Sequence, residues 1–414
     1  MRSRRLLVSA YGCEPDKGSE QGVGWNWVLQ LAELAELVVI TRSNNRQAIE
    51  AGLPEEFTKR IRFIYYDLPD RLRNFKRKER GLYLYYLMWQ WGAYRLMRRE
   101  IEKRPIDYAM HLTFGSVWLP TFMHRLPVPF IWGPIGGGEA VPWNLISSLP
   151  LKDRFVQYSR YLLMKTFSVN PLVSSVPRKA HVILARTEDT ARIFQSRHGA
   201  KIRVVLETAA ADYLFNTRTG ASRPIDSKPL EVIYTGRLVA IKNVGMAIQA
   251  VAEARRRGRN IHFTVVGDGP LQSSLNKLAN EVEIAEEVTF TGRVTQEDVM
   301  DRLSKSHLYL FPSLKEGGPW SLMEAMAMGL PSICVNTSGM KVITDETCAR
   351  LIQPGRPSEM VMAFADALCD LADNPELRRE MGAHARRRLQ HEFSWPQKRT
   401  FMATLLEDLD RGVL

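Results

Sequence analysis

Two glutamates, Glu316 and Glu324, stand with seven residues between them within SLKEGGPWSLMEAMAMGLPSICV. Carboxylates accept hydrogen bonds from hydroxyl groups, so such a pair suits a ligand rich in hydroxyls. Tyr309, Leu310 and Phe311 read as the end of a buried strand. Glu316, Gly317, Gly318 and Pro319 read as a loop, and Trp320, Ser321 and the residues to Met328 as a short helix stopped by Gly329, Leu330 and Pro331. Glu316 then belongs to the strand-to-helix turn and Glu324 to the helix, about one turn inside. In an open parallel sheet that turn faces the ligand crevice, and free N–H groups at a helix start favour phosphate. Hydroxyl acceptors beside an anion site describe a pocket for a sugar joined to a phosphate. On spacing alone, two surface glutamates flanking a capped helix is the simpler reading.

Cations supply the complementary chemistry. Arg237 and Lys242 follow the strand pattern LEVIYTGR, and Asn243 is placed to cap the helix after them. Fixed cations at a strand end can hold a diphosphate and stabilise charge growing on a departing phosphate. By themselves they read more simply as solvated surface charges. The turns VVGDGP, with Gly267, and TFTGRVTQEDV, with Arg293 and Val294, each follow a strand at the same sheet edge. They bound a nucleobase pocket, or are tight connections and nothing more. Thr295 with Asp298 has the pattern of a capping box.

Near the start, KGSEQGVGW follows the first strand and opens a helix. Gly22 and Gly24 would let the backbone approach a ligand, with Gly18 permitting the turn before them. The glycine spacing is not that of the dinucleotide fingerprint, and LVVITRSNN ends the second strand without an acidic residue. Both facts count against a nicotinamide enzyme.

The elements that must position these residues alternate strand and helix, which argues α/β with parallel sheets. Strands read at RLLVSAY, LVVITR, RIRFIYYD, DYAMHL, PFIWGP, HVILAR and KIRVVLE. A polar, turn-rich stretch follows, and a second series runs through LEVIYTGR, IHFTVVGDGP, EVTFTGRV, HLYLFPS and PSICVN. The simplest architecture is two doubly wound, Rossmann-like domains facing across a cleft. Residues 1–215 form the first, 216–228 a linker and 229–390 the second, with 391–414 as a terminal helix able to cross back to the first. At 414 residues the chain is long enough for both.

Apolar residues are 45% and charged residues 25%, ordinary for a globular protein, and no apolar run approaches the ~18 residues of a membrane span. Leu6 to Ala10 is too short for a signal-peptide core. Cys13, Cys334, Cys348 and Cys369 show no ligand-like spacing and suggest a reduced, cytoplasmic protein without disulfides. The net charge is +12. The segment Arg71–Arg104 holds eleven Lys and Arg against three acids, around the aromatic run GLYLYYLMWQWGAY. Cations beside Tyr and Trp suit an anionic membrane surface, as a peripheral protein on the inner face of the cytoplasmic membrane. A helix with a core-packed aromatic face and a solvated basic face fits equally. A nucleic-acid partner is not expected, because no reading motif accompanies the charge.

The ordered set TGR…K, VVGDGP, TFTGRV and EGGPWSLMEAMAMGLP, from Tyr234 to Pro354, resembles the retaining glycosyltransferases of family 4, with the glycosyltransferase-B fold. The glycine loop and DYAMH, ending at His111, extend the resemblance into the first half. The segment WGPIGGGEAVP (Trp132 to Pro142) resembles a loop of members linked to bacterial surface polysaccharides. The resemblance implies transfer of a sugar from a nucleotide diphosphate to a hydroxyl of a glycan or lipid-linked acceptor, with retention and without a metal or other cofactor. Glu316 would bond a hydroxyl of the donor sugar and Glu324 the ribose. Arg237 and Lys242 would bind the diphosphate, Gly22 a phosphate, and His111 a sugar hydroxyl or the acceptor. Two positions depart from the family pattern: Gly318 stands where an aromatic is usual, and Glu207 and Thr208 stand where many relatives carry Asn-Gly-x-Asp. Asp408 and Asp410 have a metal-binding spacing but lie in a terminal helix, where a solvated face is expected. The competing readings are a nucleotide-sugar epimerase of the same architecture and a non-catalytic binding protein.

Overall fold

The computed structural model describes residues 4–69, 71, 81–166, 170–216 and 229–413. Arg73, Lys76, Arg77, Lys78 and Arg80 of the basic segment, and 217–228 of the linker, lie outside the described residues.

The chain divides into two compact units. The first comprises Met1–Gly138, Leu162–Glu207 and Trp395–Leu414; the second comprises Glu139–Tyr161 and Thr208–Ser394. The change at Tyr161 falls within one helix, Leu151–Thr166. This corrects a continuous first domain over 1–215. Asn144 donates to the Gly355 carbonyl at 3.0 Å, and Arg386 donates to the Phe215 carbonyl at 3.0 Å, so both stretches are tied to the second unit.

The first unit is a seven-stranded parallel sheet in the order β3-β2-β1-β4-β5-β6-β7. Its strands are β1 (Arg5–Ser9), β2 (Glu36–Thr41), β3 (Ile61–Tyr65), β4 (Tyr108–His111), β5 (Phe130–Ile135), β6 (Val182–Ala185) and β7 (Ile202–Val204). Both faces are covered, so the strands are apolar runs without alternation; β4 and β5 are buried at every residue. The helix Leu82–Lys103 turns Tyr85, Tyr86, Trp89 and Met97 into this core. Tyr11 meets Tyr86 and Trp89 edge-on, with ring centroids 5.2 and 5.0 Å apart. Burying Trp89 contributes about 2–3 kcal/mol, and its indole N–H donates to the Tyr66 carbonyl at 2.8 Å. The aromatic run therefore divides. Tyr85, Tyr86 and Trp89 are core, while Tyr83, Leu84 and Trp91 stay exposed, as do Arg95, Arg98, Arg99, Lys103 and Arg104. The terminal helix Trp395–Asp410 packs on Ser19–Ala32 in the same unit, with Trp395 edge-on to Trp27. Asp410 is not a free acid there: it pairs with Arg4 at 2.5 Å and accepts from the Tyr108 hydroxyl.

The second unit is a six-stranded parallel sheet in the order β10-β9-β8-β11-β12-β13. Its strands are β8 (Leu230–Thr235), β9 (Ile261–Val266), β10 (Val288–Gly292), β11 (Leu308–Phe311), β12 (Ser332–Val335) and β13 (Ala349–Ile352). The edge strand β13 is not evident in the sequence, being four residues long with Arg350 paired to Asp370 at 2.9 Å. In both sheets the chain works outward on one side and then returns to the first strand's other side. The order reverses between β1 and β4, and again between β8 and β11. Loops leaving the carboxyl ends of such strand pairs splay apart and leave a binding crevice.

Candidate functional site

In the second unit, the turns after β8 and β11 meet at the reversal point. After β8 the chain forms a short 3-10 turn, Ala240–Lys242, then the helix Val244–Arg256. After β11 it runs through Ser313 and Glu316 into the helix Trp320–Ala327. Lys242 and Glu316, 74 residues apart, form a half-buried ion pair through Nζ and Oε1. Ser313 donates its hydroxyl to the same Oε1 at 2.5 Å, and the Leu314 N–H donates to the Ile241 carbonyl at 2.9 Å. The helix Ser338–Ile343 after β12 closes the other side, where the Gly339 N–H donates to the Glu316 carbonyl at 3.0 Å. A Cβ on Gly339 would lie 1.8 Å from the Gly317 carbonyl, so only glycine permits this approach.

Glu324 lies within the helix Trp320–Ala327, as its spacing predicts. Its Oε1 accepts from the Gln296 amide at 2.8 Å, and burial pushes its carboxyl up to about 7 against the opposing effect of that bond. The helix is anchored through Ser321, whose hydroxyl bonds the Tyr309 phenol; that phenol also meets Thr235 Oγ1 at 3.0 Å. Among the described residues no side chain caps the helix start at Pro319, and Trp320 is half-buried there. A helix start without a side-chain acceptor has N–H groups to offer an anion.

The remaining predicted residues of this unit rim the same sheet edge. Arg237 and Arg293 are exposed, and Val294 is half-buried. Gly267, at φ 131°, sits where a Cβ would lie 2.0 Å from the Gly236 carbonyl, and its N–H donates to the Gly292 carbonyl at 3.0 Å. Its missing side chain thus serves contact between loops. Gly318 likewise faces Thr208, whose Oγ1 would be 2.1 Å from an added Cβ; that hydroxyl is buried without a hydrogen-bond partner among the described residues. Asn243 does not cap the following helix. It adopts a left-handed conformation at φ 54°, which Asn tolerates, and its amide reaches the Met246 sulfur at 3.3 Å. Thr295 and Asp298 do form the capping box.

In the first unit, the loops after β1 and β4 also meet at a reversal point. The Gly12 N–H donates to Thr113 Oγ1 at 3.0 Å. Gly24 packs where a Cβ would lie 2.0 Å from the Gly12 carbonyl, and Gly22 where it would lie 1.9 Å from that of Lys17. Both glycines are buried in the helix Ser19–Ala32, so their missing side chains admit the chain's own backbone. His111 ends β4, fully buried, with Nε2 3.3 Å from the Tyr86 hydroxyl. Burial lowers its pKa to about 4, so it is neutral at physiological pH. Glu20 binds the Phe114 N–H three residues beyond His111, tying the glycine loop to the end of β4.

The structure therefore joins Lys242 to Glu316, sets Glu324 on the adjoining helix, and keeps Gly22, Gly24 and His111 in the other unit. Ser313, Gln296 and Gly339 are not evident from the sequence. Only Ser313 carries a signal there, a hydroxyl three residues before Glu316. Among the described residues, no group of three or more His, Cys, Asp or Glu side chains could hold a metal ion.

Residues 217–388 match the family model for glycosyl transferases group 1. The alpha-D-kanosaminyltransferase of Streptomyces kanamyceticus is 36% identical over 162 residues, 39% of this chain and 41% of that protein. The GDP-mannose-dependent alpha-(1-6)-phosphatidylinositol monomannoside mannosyltransferase of Mycobacterium tuberculosis (strain H37Rv) is 28% identical over 188 residues, 44% of this chain and 47% of that protein. The matched stretch thus spans less than half of either relative. The crystal structure of Anabaena HepE in complex with UDP superposes with a TM-score of 0.61 at 13% identity, covering 98% of this chain and 100% of that one. The two parallel sheets and this superposition bear out the glycosyltransferase-B fold, and the match over 217–388 bears out the likeness of the second half to glycosyl transferases.

Proposed function

We propose that the chain moves a sugar from a nucleotide diphosphate to a hydroxyl of a glycan or lipid-linked acceptor, with retention, in bacterial surface polysaccharide or glycolipid synthesis. The observation that carries this reading is the Lys242–Glu316 pair at the reversal between β8 and β11. A cation and a carboxylate fixed side by side match the two ends of a phosphate–sugar bond. Lys242 and Arg237 take the diphosphate, Glu316 a hydroxyl of the donor sugar, and Glu324 the ribose. The N–H groups at the start of Trp320–Ala327, beside Gly317 and Gly318, add donors to phosphate. His111, neutral because it is buried, is assigned to a hydroxyl of the donor sugar or the acceptor.

In the reaction the anomeric carbon–oxygen bond to the diphosphate breaks, and a bond from the acceptor oxygen forms on the same face. The acceptor proton passes to the departing phosphate oxygen. The protein's contribution is positioning and electrostatic stabilisation of that phosphate. Lys242 and Arg237 supply that stabilisation without a metal ion. The acceptor is met at the inner face of the cytoplasmic membrane, with exposed Arg95, Arg98, Arg99, Lys103 and Arg104 drawn to anionic lipid.

A thermal-shift screen across nucleotide sugars identifies the donor, because a ligand of the folded state raises Tm. Transfer assays with that donor then test the roles. Arg237→Ala is expected to lower kcat by ~10²-fold, whereas the wild type should keep full activity in chelator. Full turnover by the Arg237→Ala, Lys242→Ala double variant overturns the assigned roles. Conversion of the donor sugar without an acceptor marks an epimerase instead.

A further inference from the structure

The helix Leu151–Thr166 is amphipathic with its apolar side outward. Leu151, Phe155, Tyr158 and Leu162 recur at helical spacing on one face, where Leu151 is 79%, Phe155 75% and Leu162 66% exposed. Val156 and Leu163 widen the same stripe and are exposed as well. On the opposite side Gln157 is buried, with Asp153 and Arg160 half-buried beside it. Arg160 donates to the Glu139 carbonyl at 3.4 Å, so polar groups do the anchoring. Folding of the chain alone would bury the leucines and expose the glutamine. The observed inversion leaves a continuous apolar stripe in water, and such patches mark interaction sites.

We infer that this face docks shallowly on an anionic lipid bilayer. The inference rests on the proposed lipid-linked acceptor and adds an inserting element to the electrostatic attraction assigned to Arg95, Arg98, Arg99, Lys103 and Arg104. Charge complementarity selects the occupant. Lys152 is exposed on the apolar face, Arg154 flanks it, and the chain carries a net charge of +12. The aromatic content agrees. Trp143, 62% exposed, packs edge-on against Tyr158 and Tyr161 at 5.1 and 5.2 Å. Trp and Tyr with one apolar end and one polar end favour the headgroup level. Among the described residues no helix is long and apolar enough to cross a membrane. A stripe about three turns long suits a helix lying in the interface plane.

The test is flotation of the full chain with vesicles of phosphatidylcholine containing phosphatidylglycerol, at low salt, for the wild type and for Phe155→Asp, Leu162→Asp. Both positions are exposed, so Tm is expected to stay unchanged. The wild type should float, and the double variant should partition about tenfold or more weakly, while Lys152→Glu weakens binding in a salt-dependent way. Equal flotation of wild type and double variant overturns the inference and places docking elsewhere. Failure of the wild type to float also overturns it, as does a concentration-dependent dimer that the double variant dissolves. Nucleotide-sugar thermal shifts on the same samples separate the outcomes. Intact donor binding without flotation refutes the docking face alone, whereas lost donor response with intact flotation refutes the transferase reading.

Discussion

Lys242 and Glu316 neutralise each other over a shared support: Ser313 bonds the same carboxylate oxygen as the lysine, and β11's loop is bonded to the residue preceding Lys242. Each charge is half-buried, so each depends on the other for solvation. On the proposed reading, a donor entering here replaces one polar partner with another instead of stripping two ions of water, which is the costly step for buried charge.

Truncating one member should therefore cost more than truncating both. Lys242→Ala is expected to lower Tm and to reduce turnover ~10²-fold. A cycle of Lys242→Met and Glu316→Gln should give a coupling of roughly 1–3 kcal/mol by urea denaturation. Additive effects of the two changes would show that the ion pair does not organise the site.

Glu324 predicts a pH dependence. Its carboxyl is raised from the usual 4.5 to about 7, chiefly by burial. Between these values the folded protein keeps a proton that the unfolded chain has lost, so the stability this group contributes is complete below pH 4.5 and is lost as pH rises to about 7. Glu324→Gln cannot ionise. Its stability relative to wild type should improve from pH 5 to pH 8, and urea midpoints that keep a constant offset would reject the assignment.

His111 carries the opposite sign. Burial depresses it from 6.5 to about 4, so its contribution is complete above pH 6.5 and lost as pH falls toward 4. His111→Gln should flatten the acid side of the stability profile over that window. Protein whose acid midpoint is unmoved by the substitution would contradict a neutral, buried imidazole.

Gly318 and Thr208 predict a suppressor pair. Gly318→Ala places a methyl 2.1 Å from Thr208 Oγ1 and should cost about 1–3 kcal/mol through overpacking. Thr208→Ala removes that atom, which has no hydrogen-bond partner to lose among the described residues, and should be nearly neutral alone and restorative in the double variant. By contrast Gly267→Ala meets the backbone carbonyl of Gly236 and admits no such rescue. Scanning calorimetry of the four variants decides this, and a double variant no better than Gly318→Ala would refute the contact.

Much of the fold was legible because parallel strands covered on both faces are plain apolar runs. Twelve were readable in this way, and β13 was not, since ARLI is too short and carries an ion-paired Arg350. Glu324 inside a short helix closed by Gly329 followed from propensity, and Gly329 does take a positive φ of 69°. The meeting of Lys242 and Glu316 was not legible from spacing, because it depends on β11 returning to lie beside β8. Local patterns carry no record of strand order. The aromatic run beside Arg95 held two readings for the same reason: which ring points inward depends on Tyr11 and Tyr66, distant in sequence. The stretch Glu139–Tyr161 looks like a loop and helix of the first half, yet Asn144 and Gly355 assign it to the second.

Backbone bonds stitch the ends of three neighbouring strands together, Gly236 N–H to the Val266 carbonyl and Gly267 N–H to the Gly292 carbonyl, and at Gly267 the approach leaves no room for a side chain. An edge sewn so tightly has no slack to reshape. On the proposed reading, descendants of this chain that acquire a taste for a different activated sugar would have to do so by exchanging the side chains that project from the seam, such as Arg293 and Val294, while the seam itself stays as it is.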